Sequence, residues 1–127
     1  MFTGPMSKDP QLYDLEERDQ IGIVRFLDRI ELFQAAQIRS EILEWIHTHQ
    51  PKGMVFSFAE VPYIDSSGVG IFVNLQHRLA HTVPMRLCQM SPTVRDVLTF
   101  TNLVSTFSID DTEAESIAAI QTRRAEA

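Results

Sequence analysis

The chain has 127 residues, 44% of them hydrophobic and 22% charged, with a formal net charge of -6. That length suits one domain with a core of its own, and the acidic balance argues against nucleic acid and anionic membrane as partners. A single cysteine, Cys88, excludes an internal disulfide and a cysteine-built metal site, and suits a reducing cytoplasm, the expected localisation.

In chain order, MFTGPMSKDP lacks the apolar centre of a signal peptide and reads as a disordered leader, residues 1–10. LYDLEERDQIGIVRFLD alternates in part, through Leu12, Leu15, Ile21, Ile23 and Phe26, and predicts a two-stranded hairpin. ELFQAAQIRSEILEWIHTH changes period: Leu32, Ala35, Ile38, Ile42, Trp45 and Ile46 mark an amphipathic helix, ended by Gln50-Pro51-Lys52-Gly53. GMVFSFAEV is short, apolar and flanked by breakers, so it predicts a buried strand.

After YIDSSG, the stretch GIFVNLQHRLAHT returns to helical spacing through Phe72, Leu75 and Leu79. VPMRLCQM predicts a strand with Met85, Leu87 and Gln89 on one face, Arg86 and Cys88 on the other. SPTVRDVLTFTNL opens with Ser91 as N-cap and Pro92 at the first helical position. VSTFSID is a last extended piece, and DTEAESIAAIQTRR a closing helix with Asp111 or Thr112 as cap, acids first and arginines last, matching the helix dipole. The order β-β-α-β-α-β-α-β-α predicts an α/β sandwich: a mixed, mainly parallel sheet of about five strands with about four helices. One domain is expected over residues 11–121, followed by a polar tail, 122–127. No apolar run approaches the ~20 residues of a membrane helix, so membrane insertion is not expected.

The loop Asp65-Ser66-Ser67-Gly68 leaves a central strand and enters a helix, the end of an open α/β sheet where sites gather. All three polar residues are good helix caps, yet one helix needs one cap. Gly68 and Gly70 each cost about 0.5–1 kcal/mol in a helix interior, which makes sense where another backbone or a partner must come close. A phosphate on Ser66 would add about -1.5 to -2 charges beside helix N–H groups that favour anions, leaving the fold intact and changing the approaching surface. The stretch is neither Gly-x-x-x-x-Gly-Lys-Ser/Thr nor Gly-x-Ser-x-Gly, since Ile64 stands two before Ser66. His77 and His81 have half-site zinc spacing but no His-Glu-x-x-His, and no metal or other cofactor is expected. An enzyme acting on a small molecule would have only Asp65 as a candidate base, so no catalytic role is expected.

VPYIDSSGVGIFVNLQHRL resembles the signature of the STAS domain, the family of anti-sigma factor antagonists. The resemblance extends from IVRFLDRIELFQAAQIRSEI to MRLCQMSPTVRDVLTFTNLVSTFSIDDTEAESIAAI, about Leu12 to Ile120. It implies that Ser66 is the phosphoacceptor, with Ser67 its neighbour. It further implies a serine protein kinase of the histidine-kinase-like ATPase fold, often itself the anti-sigma factor, and a PP2C-type phosphatase that reverses the modification. The unphosphorylated antagonist would bind the kinase and free the sigma factor; ATP and Mg²⁺ would belong to the partner. The chain departs from the family's Gly-x-Leu-Asp-like turn, having Asp28-Arg29-Ile30-Glu31, with Glu31 in the aspartate's place. The expected partner surface is Asp65, Ser67, Gly68, Val69, Gly70 and Phe72 around Ser66, with Glu31 and Arg29 at its edge. Val69 and Phe72 read equally as its apolar anchor or as core. The alternative role is a non-phosphorylated STAS subunit docked on the ATPase of a lipid-transport ABC system.

Overall fold

The computed structural model describes residues 3–4, 12–79 and 82–126. The hairpin is β2 (Tyr13–Arg18) and β3 (Ile21–Phe26), with a two-residue strand β1 (Thr3–Gly4) antiparallel to the outer edge of β2. The rest alternates: α1 (Leu32–His49), β4 (Gly53–Ser57), α2 (Ser66–Leu79), β5 (Met85–Cys88), α3 (Pro92–Phe100), a 3-10 turn (Val104–Thr106), β6 (Ile109–Asp110) and α4 (Glu113–Glu126). The sheet runs β1-β2-β3-β4-β5-β6, with β3 through β6 parallel. This is the mixed α/β sandwich with four helices that the alternation predicts. The remainder of the expected leader, residues 1–2 and 5–10, lies outside the described residues, and 122–126 continue α4 rather than forming a separate tail.

Alternation along the strands sorts the apolar residues onto two faces. Val24, Phe26, Met54, Phe56 and Leu87 meet Ile38, Ile42 and Trp45 of α1, Phe72 and Leu75 of α2, and Val94 and Leu98 of α3 in the main core. Ile21, Ile23, Val55 and Cys88 face the other way, where Ile120 of α4 completes a smaller cluster. Burial pushes the Cys88 thiol up to about 11, as expected of a small buried apolar residue.

Charges at the edge of that second face fix α4 against the sheet. Arg25 makes a two-pronged contact with Glu113 (2.8 and 3.0 Å) and a third bond to Glu16 at 3.0 Å. Arg86 similarly grips Asp110 (2.6 and 3.1 Å), which also accepts from the buried Ser116 hydroxyl at 2.7 Å. The Arg86 guanidinium, followed by Ser116, holds the Asp110 carboxyl below the usual carboxylate range against its partial burial.

The predicted caps are present: Ser91 Oγ accepts from Val94 N–H at 3.2 Å with Pro92 at the first turn, and Thr112 Oγ1 accepts from Glu115 N–H at 3.1 Å. Three extended pieces are shorter than expected. β4 stops at Ser57, and Val104–Thr106 of the last piece form the 3-10 turn ahead of the two-residue β6. β5 stops at Cys88, because Gln89 turns into the left-handed region (φ 58°) and is exposed rather than facing the core with Met85 and Leu87.

Candidate functional site

Beyond β3 and β4 the two chains stay together. Ile30 and Ile64 form an isolated parallel bridge, with Ile30 N–H donating to Tyr63 O (3.1 Å) and Asp65 N–H to Ile30 O (3.2 Å). Both isoleucines are buried, so the bridge is pinned from the core side. It sets the start of α1 beside the start of α2. Two turns further on, Arg39 Nη1 reaches Asn74 Oδ1 at 3.5 Å, so the helices continue side by side.

Asp65 lies between the two helix starts and serves both. Its Oδ1 accepts from Gly68 N–H at 2.8 Å and its Oδ2 from Leu32 N–H at 3.3 Å. Each N–H is one of the donors a helix leaves without an internal partner. The redundancy of three capping residues is thereby resolved: Asp65 is the cap, and the serines are released from that duty. Ser66 is exposed at the first helical position, and its hydroxyl makes no hydrogen bond among the described residues; Ser67 is half-buried.

The two glycines answer different needs. A Cβ on Gly68 would stand 2.5 Å from Ile30 O and 2.6 Å from Ile64 Cγ1, so the approaching backbone is the protein's own. A Cβ on Gly70 would meet nothing within 4 Å, and Gly70 is exposed. Gly70 stays with the outer surface around Ser66; Gly68 is buried beneath it.

The apolar anchors expected on α2 are corrected. Val69 and Phe72 are 3% and 2% exposed, and the Phe72 ring packs at 5.2–5.6 Å centroid distance from Phe26, Phe56 and Phe58. They are core, and so is the Gly68 backbone. The exposed apolar side chains near the loop are Leu32 (64%), Phe33 (89%) and Tyr63. Helical spacing placed Leu32 in the buried stripe of α1, but at the first position it precedes the turn that the core covers. Phe33 carried a readable signal, an aromatic off the stripe.

Glu31 is the N-cap residue of α1, its N–H donating to Gln34 Oε1 at 3.3 Å. Arg29 is exposed, with Nε 3.6 Å from Glu31 and 3.9 Å from Asp28. Both are chain neighbours of Ile30 and its bridge to Ile64. His77 is exposed and His81 lies outside the described residues. No cluster of three or more metal-binding side chains occurs among the described residues, and no helix there is long and apolar enough to cross a membrane.

Comparison with known proteins places this geometry. The family model described as STAS domain matches residues 13–116. An anti-sigma F factor antagonist of Paenibacillus polymyxa is 23% identical over 110 residues, covering 85% of this chain and 93% of its own. The unphosphorylated form of the anti-sigma factor antagonist SpoIIAA superposes with a TM-score of 0.75 at 27% identity, over 87% of this chain and 96% of that one. The phosphorylated form of SpoIIAA from Bacillus gives a TM-score of 0.65 at 26% identity, over 85% and 98%.

Proposed function

The chain belongs to the STAS domain family, and from that premise we propose that it is an antagonist of the anti-sigma factor type, switched by phosphorylation of Ser66. In this reading a serine kinase of the histidine-kinase-like ATPase fold, acting as the anti-sigma factor, binds the unmodified protein and phosphorylates it. A PP2C-type phosphatase restores it. The protein contributes a surface and an acceptor hydroxyl, and no catalytic group.

The observation that carries the reading is the division of labour at the start of α2. Asp65 satisfies the helix, while Ser66 Oγ is exposed and unengaged beside it. A phosphate there would disturb no internal bond of the serine side chain. It would lie near helix N–H groups that favour an anion, but also next to the Asp65 carboxylate, so its energetic effect on the fold is the difference of two opposed terms. The larger effect falls on the partner. A kinase that has just transferred phosphate holds a nucleotide whose own phosphates face the new dianion. At a 4 Å separation and an effective dielectric of about 20, each unit-charge pair is worth about 4 kcal/mol of repulsion. That is ample to turn a tight complex into a weak one, since about 1.4 kcal/mol is tenfold in Kd. The relatives add support of their own: antagonists of anti-sigma factors are named among them, and one is known in both unphosphorylated and phosphorylated forms.

The test is a phosphosite map by intact-mass and peptide mass spectrometry on protein from its own host, beside Ser66→Ala. One phosphate on Ser66, absent from the variant, is the expected result. Phosphate on Ser67 alone would move the acceptor. No phosphate under any growth condition, with an unchanged phenotype for Ser66→Ala, would overturn the switch and favour a constitutive docking subunit.

A further inference from the structure

We propose that Leu32 and Phe33, flanked by Tyr63, are the apolar anchor through which the kinase of Ser66 holds this protein, and that the kinase presents to them an apolar recess with a basic border. The inference rests on the phosphorylation reading above and names the surface that reading requires.

Three observations converge on these side chains. The first is exposure: Phe33 and Leu32 are the outermost apolar residues of this end of the molecule, at 89% and 64%, and Tyr63 is exposed beside them. The first turn of a helix ordinarily favours small polar and acidic residues. An aromatic there, off the buried stripe, does nothing for the fold. The second is rigidity. Leu32 N–H is held by Asp65 Oδ2 and the loops before it are locked by the Ile30–Ile64 bridge, so the anchor is presented on a fixed backbone, beside the start of the helix that begins at Ser66. A preorganised aromatic loses little freedom on binding and is the residue type that dominates interface energetics.

The third is charge. The acids joined to this turn by hydrogen bonds, ion pairs or chain neighbourhood are Asp28, Glu31 and Asp65, all reaching the surface at least in part. The one cation among them, Arg29, is already shared between Asp28 and Glu31. Complementarity therefore calls for a basic border on the partner. The same acids argue against a second copy of this chain, whose isologous contact would set one acidic rim against another, and against an anionic membrane.

The experiment uses the full chain and the purified ATPase found to phosphorylate Ser66. Steady-state phosphorylation is measured for wild type, Phe33→Ala, Leu32→Ala with Phe33→Ala, and Phe33→Leu, with Phe100→Ala as the control for an exposed aromatic elsewhere, at the end of α3. The double variant is expected to raise KM for this protein at least tenfold, with kcat within threefold of wild type and an unchanged thermal midpoint. Phe33→Leu recovers most of the loss, Phe100→Ala has no effect, and added salt raises KM for wild type. A KM within twofold of wild type for the double variant, while Ser66 is still phosphorylated, overturns the anchor and leaves the switch standing. A fall in kcat at unchanged KM also overturns it. A wild-type dimer in sedimentation that Phe33→Ala dissolves would make the occupant a second copy. If no ATPase of the host modifies Ser66, the switch itself fails and the anchor with it.

Discussion

Replacing each glycine of α2 by alanine separates the two roles assigned to them. At Gly68 the new Cβ would lie 2.5 Å from Ile30 O and 2.6 Å from Ile64 Cγ1. The first is backbone oxygen in a bridge, and the second belongs to a buried side chain, so neither can give without moving the start of α1. Overpacking of this kind costs about 1–3 kcal/mol, against which alanine recovers about 0.5–1 kcal/mol of helix propensity. At the middle of these ranges the net is a loss of about 1.25 kcal/mol. With an unfolding entropy of about 2.1 cal/mol/K per residue, 1 kcal/mol shifts the midpoint of a 127-residue chain by about 4 °C. Gly68→Ala is therefore expected to lower Tm by about 5 °C in thermal melts followed by circular dichroism. Gly70→Ala, with nothing within 4 Å of its Cβ, keeps the propensity gain alone and should raise Tm by about 2–4 °C. If Gly68→Ala melts with wild type, the close approach is soft and the argument that it fixes the two helix starts is wrong. A destabilised Gly70→Ala would equally refute the account of that open surface.

Two further perturbations test the joints around the site and across the sheet. Asp65→Ala removes acceptors from both Gly68 N–H and Leu32 N–H; it should cost about 1–2 kcal/mol in urea unfolding, with faster amide exchange at Leu32 as well as Gly68, while Asp65→Asn costs less. A change confined to Gly68 would mean that the bond to α1 carries no weight. Asp110 is held below the usual carboxylate range by Arg86, so its stabilising contribution is present above that range and lost as pH falls through the lowered value. Asp110→Asn should be less stable than wild type at pH 7, and the gap should close below about pH 4; a gap that stays constant into acid would refute the ion-pair account.

The alternation of elements was legible because each helix and strand is written with its own period, and because Ser91-Pro92 and Asp111-Thr112 punctuate starts that the fold uses. What spacing could not resolve was depth. Val69 and Phe72 lie on a helix that is amphipathic either way, and only the position of the sheet, with Phe26, Phe56 and Phe58 projecting from it, decides that their face is covered. Leu32 is the converse, in phase with the stripe of α1 yet one turn too early to reach the core. Asp65 shows a third kind of gap. Its capping of α2 follows from local sequence, but its bond to Leu32 joins residues 33 apart and exists only because the bridge brings the loops together. The distinction between the glycines, one against its own backbone and one against open space, is likewise a property of packing.

At one margin the sheet tapers to a strand of two residues, β6 against Leu87 and Cys88. A long row of free peptide groups is what lets one molecule template the addition of another, and β6 offers only two residues of it. Under the proposed antagonist role, output depends on how many free copies the cell maintains. A margin that resists self-addition would hold that number close to the number synthesised, so that the dose reaching the target would track expression.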